Sequence, residues 1–310
     1  MSTPVALVTG ATSGLGRHLA TQLVSRGWEV VVGGRSDRTV GTAVGELGAS
    51  ARPFVADLSD LAAVRRAADE LDVARLDAVV ANAGLSMATD TRTVDGYETT
   101  FAVNVLAHQL LLGLLAPLVP DGGRIVLVSS GVHDPDNKLA RRAGVPTPRW
   151  VGAEASAQPW DAAPGERIDD TRQRYSNSKL ANIMQARELQ RLLRAAQREV
   201  DVFAYDPGLM VDTDFARSYP AALRTVLRVV GRMATPFVAN MRTSKSSSVH
   251  LARLVTDAGL EGTGFGYFDG DVRRPPADNA LDDDAAAELW RTANRLVGLQ
   301  PDDPRIVPRS

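Results

Sequence analysis

Short runs of β-branched and aliphatic residues alternate with longer amphipathic stretches along the first half of the chain. Val5–Thr9, Glu29–Gly33, Pro53–Ala56, Leu76–Ala81 and Arg124–Ser129 read as strands, and Gly14–Arg26, Ser36–Leu47, Asp60–Leu71 and Gly96–Leu118 as the helices between them. Strands that are apolar almost throughout, rather than at every second position, suit a parallel sheet buried on both faces. Right-handed crossovers then wind the chain into a doubly wound, Rossmann-type α/β sheet of about seven strands with helices on both faces. The pattern breaks after Ser130. Residues 131–172 are rich in Pro, Gly, Ala and charge without a sustained period, which predicts an insertion near the site, either with small structure of its own or as a flap. A helix over Arg172–Gln197 and a strand over Val200–Tyr205 restore the alternation. Residues 206–242 read as a substrate-binding loop region, followed by a helix (Thr243–Thr256), a strand (Gly264–Phe268) and a last helix (Asp283–Val297). No linker or repeat divides the chain, which predicts a single domain over residues 1–310.

Composition narrows the class. Among 310 residues, 44% are hydrophobic and 23% charged, which excludes a disordered chain and a disulfide-stapled mini-fold. Without cysteine there is no disulfide, iron–sulfur cluster or thiolate zinc site. A net charge of −2 and the lack of a basic block argue against nucleic acid as the main partner. Hydrophobic runs such as Leu110–Val119 fall short of the roughly 20 residues that cross a bilayer. With no basic leader either, the expected location is cytoplasmic. Of the 35 basic side chains only three are lysines (Lys138, Lys179 and Lys245), so each can be inspected singly.

Two motifs carry chemistry. Thr9-Gly10-Ala11-Thr12-Ser13-Gly14-Leu15-Gly16 lies between a predicted strand and a predicted helix. Glycines there allow a tight turn and close approach of a pyrophosphate to free N–H groups at the helix start. In Tyr175-Ser176-Asn177-Ser178-Lys179 a phenol and an ammonium four residues apart share one helix face. An ammonium beside a phenol favours the phenolate, which predicts a lowered pKa for Tyr175 and a role as general acid. His18, His108, His133 and His250 are scattered without metal spacing. Asp282-Asp283-Asp284 reads as a helix N-cap, and no metal is expected.

Together the two motifs resemble the short-chain dehydrogenase/reductase family, and further positions agree in order and element over about residues 4–270. These are Asn82-Ala83-Gly84 after the fourth strand, Asn104 in the following helix, Ser129-Ser130 ending the fifth strand and Asp206-Pro207-Gly208 ending the sixth. The segment Tyr175–Asn182 is similar to the retinol dehydrogenase and light-dependent protochlorophyllide reductase branch, which also carries a longer segment before the tyrosine. The resemblance implies a catalytic set of Asn104, Ser130, Tyr175 and Lys179. In it Tyr175 donates a proton to the substrate oxygen and Ser130 polarises the carbonyl. Lys179 lowers the phenol's pKa and holds the nicotinamide ribose, while Asn104 anchors a water that links Lys179 to solvent. For the cofactor, the resemblance implies the glycine turn (Gly10, Thr12, Ser13, Gly14, Leu15, Gly16), Asp57 and Leu58 at the adenine, and Asn82, Ala83 and Gly84. Pro207, Gly208 and Thr213 complete that set, with Thr213 one residue beyond the family's usual spacing.

The choice of cofactor follows from charge. The second strand ends Gly33-Gly34-Arg35-Ser36-Asp37-Arg38, which puts Arg35 where a 2′-phosphate would sit and leaves no carboxylate there to bind a free ribose hydroxyl. NADP(H) is therefore expected over NAD(H). The expected reaction interconverts a ketone or aldehyde with an alcohol on a small organic substrate. Alternatives are C=C reduction, dehydration or cyclisation at the same site, or a non-catalytic cofactor-binding sensor. In related carbonyl reductases an inserted segment covers the helices otherwise used for association, so a monomer or a small homo-oligomer is expected, leaning to monomer or dimer. Trp150 and Trp160 in the insertion could line a substrate cleft or fill the insertion's own core.

Overall fold

The computed structural model describes residues 3–159, 170–210 and 241–300. Thr213, Trp160 and most of the 206–242 stretch lie outside the described residues. One eight-stranded sheet forms the frame: β1 (Val5–Val8), β2 (Glu29–Gly34), β3 (Ala51–Val55), β4 (Ala78–Ala81), β5 (Arg124–Val128), β6 (Asp201–Asp206), β9 (Gly266–Asp269) and β10 (Val272–Arg274). Its order is β10-β9-β6-β5-β4-β1-β2-β3, with every pairing parallel except β9–β10. A separate two-stranded pair joins β7 (Leu209–Met210) and β8 (Met241–Arg242). The sequence reading gave seven strands and missed β10, a three-residue charged edge strand whose side chains all face water.

Side chains alternate across the sheet, so each strand feeds two cores. Leu7, Val31, Val79, Ile125, Leu127 and Val202 face helices α3 (Leu61–Asp69), α5 (Ala107–Leu115) and α8 (Thr171–Ala195). Ala6, Val8, Val30, Val80, Val126 and Phe203 face α1 (Gly14–Ser25), α2 (Asp37–Leu47) and α9 (Ser244–Thr256). Burial on both faces is why these strands read as unbroken apolar runs. The predicted Gly96–Leu118 helix is in fact composite. A short α4 (Thr99–Phe101) passes through a π-helical turn, Ala102–Leu106, into α5. Thr99–Leu118 is also long and apolar enough to cross a membrane by composition, a longer stretch than the sequence suggested, but 78% of its apolar window is buried inside the fold.

The described part of the insertion has structure: α6 (Lys138–Arg142) and α7 (Ala153–Ser156). Trp150 packs against the main core rather than a separate one. The last helix, α10 (Asp283–Leu296), is capped by the Asp282 carboxylate, which accepts from Ala285 N–H at 2.9 Å. It lies along α8, and its Glu288 carboxylate accepts from the backbone N–H of Ala153 at the start of α7. Trp290 on its inner face is only 4% exposed. Trp290→Ala should lower unfolding free energy by about 3–5 kcal/mol in a denaturant titration; a loss below about 1 kcal/mol would show that this helix is not part of the core.

Candidate active site

The chain moves outward from β1 to β3, returns, and crosses to the opposite side through β4. The crevice between the ends of β1 and β4 is thus the switch point at which such sheets bind ligands. Its two rims are tied together by one side chain. Thr9 Oγ1, just past β1, accepts the backbone N–H groups of Asn82 and Ala83, both at 2.9 Å. Asn82 Nδ2 donates to the Thr9 carbonyl at 2.7 Å. Behind the turn, a Cβ at Gly16 would fall 2.4 Å from the Gly10 carbonyl oxygen, so the helix start can close onto the turn only with glycine. Thr12 and Gly14 are partly exposed and Ser13 fully, while Leu15 and Gly16 are buried beneath them. This open, glycine-lined helix start fits a dinucleotide pyrophosphate.

At the outer rim, Arg35 is exposed at the end of β2, and the preceding Gly34 abuts Thr12 of the turn. Asp57 is exposed just after β3, where its carboxylate accepts from both the backbone N–H and the hydroxyl of Ser59. Leu58 beside it packs against the core. Beyond β6, Pro207 is buried, its carbonyl accepts from Ser247 Oγ at 2.7 Å, and Gly208 N–H donates to Asp206 Oδ1 at 2.8 Å. The structure brings all these residues to the carboxyl ends of the strands. Thr213 lies outside the described residues.

The proposed catalytic side chains meet on the same edge. Ser130 follows β5 and hydrogen-bonds the hydroxyl of Tyr175 on α8. Lys179 Nζ lies 5.7 Å from the Tyr175 ring centroid. It donates to the Val128 carbonyl at 2.9 Å and to Asn182 Oδ1 at 3.4 Å. Gly84 stands over it, where a Cβ would be 3.4 Å from Nζ and 3.3 Å from Asn104 Oδ1. Asn104 Nδ2 reaches Ser178 Oγ and the Leu85 carbonyl, each at 2.9 Å, and Oδ1 accepts from Leu85 N–H at 2.8 Å. Asn104 therefore fastens Leu85, next to the Asn82-Ala83-Gly84 turn, to α8.

Charge at the site departs from the sequence expectation. Proximity to Lys179 predicted a lowered phenol pKa, but the pKa of Tyr175 is raised above its ordinary value. Desolvation is the main cause, the Asp206 carboxylate adds to it, and the Ser130 hydrogen bond opposes it. The phenol is thus held protonated. Burial brings Lys179 down to about 8, against the pull of Asp206. Asp206 itself is pushed up to about 6, chiefly by burial, while Gly208 N–H favours its ionised form. Two further residues escaped the sequence reading because their roles need three-dimensional partners. His133 accepts from Ala277 N–H at Nε2, which leaves Nδ1–H to donate to the Ser130 carbonyl at 2.8 Å. Tyr267 OH donates to Asp206 Oδ2 at 3.3 Å.

A dinucleotide cradle opposite a Ser–Tyr–Lys cluster defines the site of an oxidoreductase. The comparisons agree: the family model for short chain dehydrogenases matches residues 4–138. Polyprenol dehydrogenase of Mus musculus is 31% identical, with 95% of this chain and 84% of that protein covered. Retinol dehydrogenase 14 of Homo sapiens is also 31% identical, covering 94% and 86%. A short chain dehydrogenase from Burkholderia cenocepacia solved in complex with NADP superposes with a TM-score of 0.61 at 26% identity, covering 86% of this chain and 96% of that one. The chain belongs to the short chain dehydrogenase family.

The lowered pKa of Lys179 has a measurable consequence for stability. Because it falls from 10.5 to about 8 on folding, keeping the ammonium buried below pH 8 costs about 3 kcal/mol. Lys179→Met removes that cost but leaves the buried Asp206 carboxylate, the Val128 carbonyl and Asn182 Oδ1 without their partner, so the diagnostic is the pH dependence of its stability relative to wild type. Relative to the variant, wild-type unfolding free energy should rise by about 3 kcal/mol as pH climbs from 8 towards 10.5, where the folded wild-type lysine is neutral and the unfolded one still charged. A stability difference that stays constant over that range in urea unfolding would contradict this assignment of charge.

Proposed function

We propose that the protein is an NADP(H)-dependent reductase/dehydrogenase that interconverts a small organic ketone or aldehyde with its alcohol. The observation that carries this reading is the buried Tyr175 phenol, hydrogen-bonded to Ser130, with Lys179 Nζ 5.7 Å from its ring centroid at the mouth of the dinucleotide cradle. The glycine turn from Gly10 to Gly16 would hold the pyrophosphate, and Arg35 the 2′-phosphate. Asp57 would meet the adenine and Lys179 the nicotinamide ribose. When bound, the cofactor supplies or accepts a hydride.

The chain's own residues supply the proton and the polarisation. Ser130 and Tyr175 hold the carbonyl oxygen between two hydroxyls, so charge developing there meets donors already in place. Tyr175 gives its proton to that oxygen; a phenol carries that proton at neutral pH, and burial holds it there more firmly. The tyrosinate left behind faces Lys179, whose positive charge stabilises it until a proton returns. The solved relative in complex with NADP supports the same cofactor. The surface of α8 away from the sheet is covered by α10, which α7 packs against in turn. That covering supports a monomer, because association through α8 would have to displace packed helices.

Three measurements test the reading. Tyr175→Phe should reduce carbonyl turnover by on the order of 100-fold or more while leaving NADPH affinity, read by fluorescence titration, almost unchanged; retained turnover would overturn the role of the phenol. Arg35→Asp should weaken NADPH binding by about 10–100-fold and leave NADH binding equal or better, whereas an unchanged cofactor ratio would remove Arg35 from the site. Sedimentation velocity should give one species near 33.1 kDa, and a dimer or tetramer would contradict the covered-helix argument.

A further inference from the structure

A directed chain of hydrogen bonds runs through Asn104. His108 on α5 is 1% exposed, and burial holds its pKa down at about 4, so the ring is neutral at working pH. A neutral imidazole has one N–H and one bare nitrogen, and the neighbours decide which is which. Thr9 Oγ1 already accepts two backbone N–H groups, from Asn82 and Ala83, which uses both its lone pairs. It is left with a proton to give, and His108 Nε2 stands 3.0 Å away, nearer than the Val80 carbonyl at 3.4 Å. The ring proton therefore sits on Nδ1, 3.2 Å from the carbonyl oxygen of Asn104. The opposite tautomer would set two lone pairs against each other there.

The same carbonyl accepts from Asn182 Nδ2 at 2.8 Å. The orientation of that amide is fixed at its other end, because Lys179 Nζ can only donate and so needs Oδ1 facing it. The Asn104 carbonyl thus accepts from two side-chain donors, His108 and Asn182. The second amide proton of Asn182 goes to Gln185 Oε1 at 3.3 Å, and the ladder continues through Gln109 to Asn294 on α10.

We propose that His108 and Asn182 are positioning residues. The oriented chain Thr9–His108–Asn104 carbonyl–Asn182–Lys179 locks the catalytic ammonium to the cofactor turn, with the Asn182 amide as the bridge between the Asn104 carbonyl and Lys179. Asn104 lies within the π-helical turn Ala102–Leu106, whose ladder is wider than that of a regular helix. The inference rests on the reductase reading for its kinetic consequence and on the hydrogen-bond geometry alone for its orientation.

The two parts are tested separately. In 15N-histidine NMR of the protein without added cofactor, with His108→Phe identifying the signal, His108 should be neutral, protonated at Nδ1 and unchanged between pH 8 and pH 6. A proton on Nε2, or a titration within that range, overturns the proposal whether or not the protein shows turnover. The kinetic arm compares two variants. Asn182→Leu keeps the branched shape, removes all three side-chain hydrogen bonds and excludes water, so kcat should fall by on the order of 100-fold. Asn182→Ala leaves room for a water that restores the bridge, so its loss should stay within about 10-fold. A packing role alone gives the reverse order, since the alanine leaves the cavity; that order, or equal losses, overturns the proposal. Wild-type protein that binds NADPH yet reduces no carbonyl would instead sink the reductase reading, and the tautomer would then decide the chain by itself.

Discussion

A lysine ammonium held away from water at the carboxyl edge of the sheet is the constraint around which this site is built. Lys179 is 4% exposed, and burial works against its charge. Its surroundings answer with oriented oxygen: the Val128 carbonyl from the last residue of β5, the Asn182 amide from its own helix, and the negative charge of Asp206 at the end of β6. Each is delivered by a different element. The ends of β5 and β6 and helix α8 must therefore be in register for the lysine to keep its proton. Ser129 Oγ, donating to the Lys179 carbonyl at 2.7 Å, fixes that helix to β5 at the same level.

The same burial sorts the roles of the two titrating side chains. Desolvation raises a phenol and lowers an amine, so the low-dielectric edge favours a protonated Tyr175 and a lysine poised near 8. The arrangement sacrifices stability for chemistry: a charge is kept where an apolar side chain would pack better. The fold supplies that stability elsewhere, in two cores on either side of a sheet whose central strands are inaccessible on both faces. Asp206 belongs to the same compromise. It is a buried carboxyl that supports the ammonium while making the phenol harder to ionise, and it is held by Gly208 N–H and Tyr267 OH.

Much of this was legible in the sequence. The parallel strands were readable because burial on both faces leaves a continuous apolar run, and the glycine turn and the Tyr175/Lys179 pair because their spacings are set by local geometry. Other features were not. The strand Val272–Arg274 carries too little apolar surface to signal an antiparallel edge. The π-helical turn hid inside an ordinary amphipathic pattern, since one widened turn hardly alters the spacing of apolar residues. The direction of the Tyr175 shift was misjudged for a simple reason: a four-residue spacing reports nearness to a charge but is silent on desolvation. His108 carries no signal in the sequence beyond its lack of metal spacing, because its partner Thr9 lies 99 positions away.

The most direct test of the account is the titration of Lys179 itself. With three lysines in the chain, 13Cε-lysine NMR can follow each, and Lys179→Met identifies the signal. The account predicts that Lys179 titrates at about 8 in the folded protein, well apart from Lys138 and Lys245. Titration of Lys179 together with those two, near the ordinary 10.5, would show the ammonium to be solvated and would contradict the buried, oriented site described above.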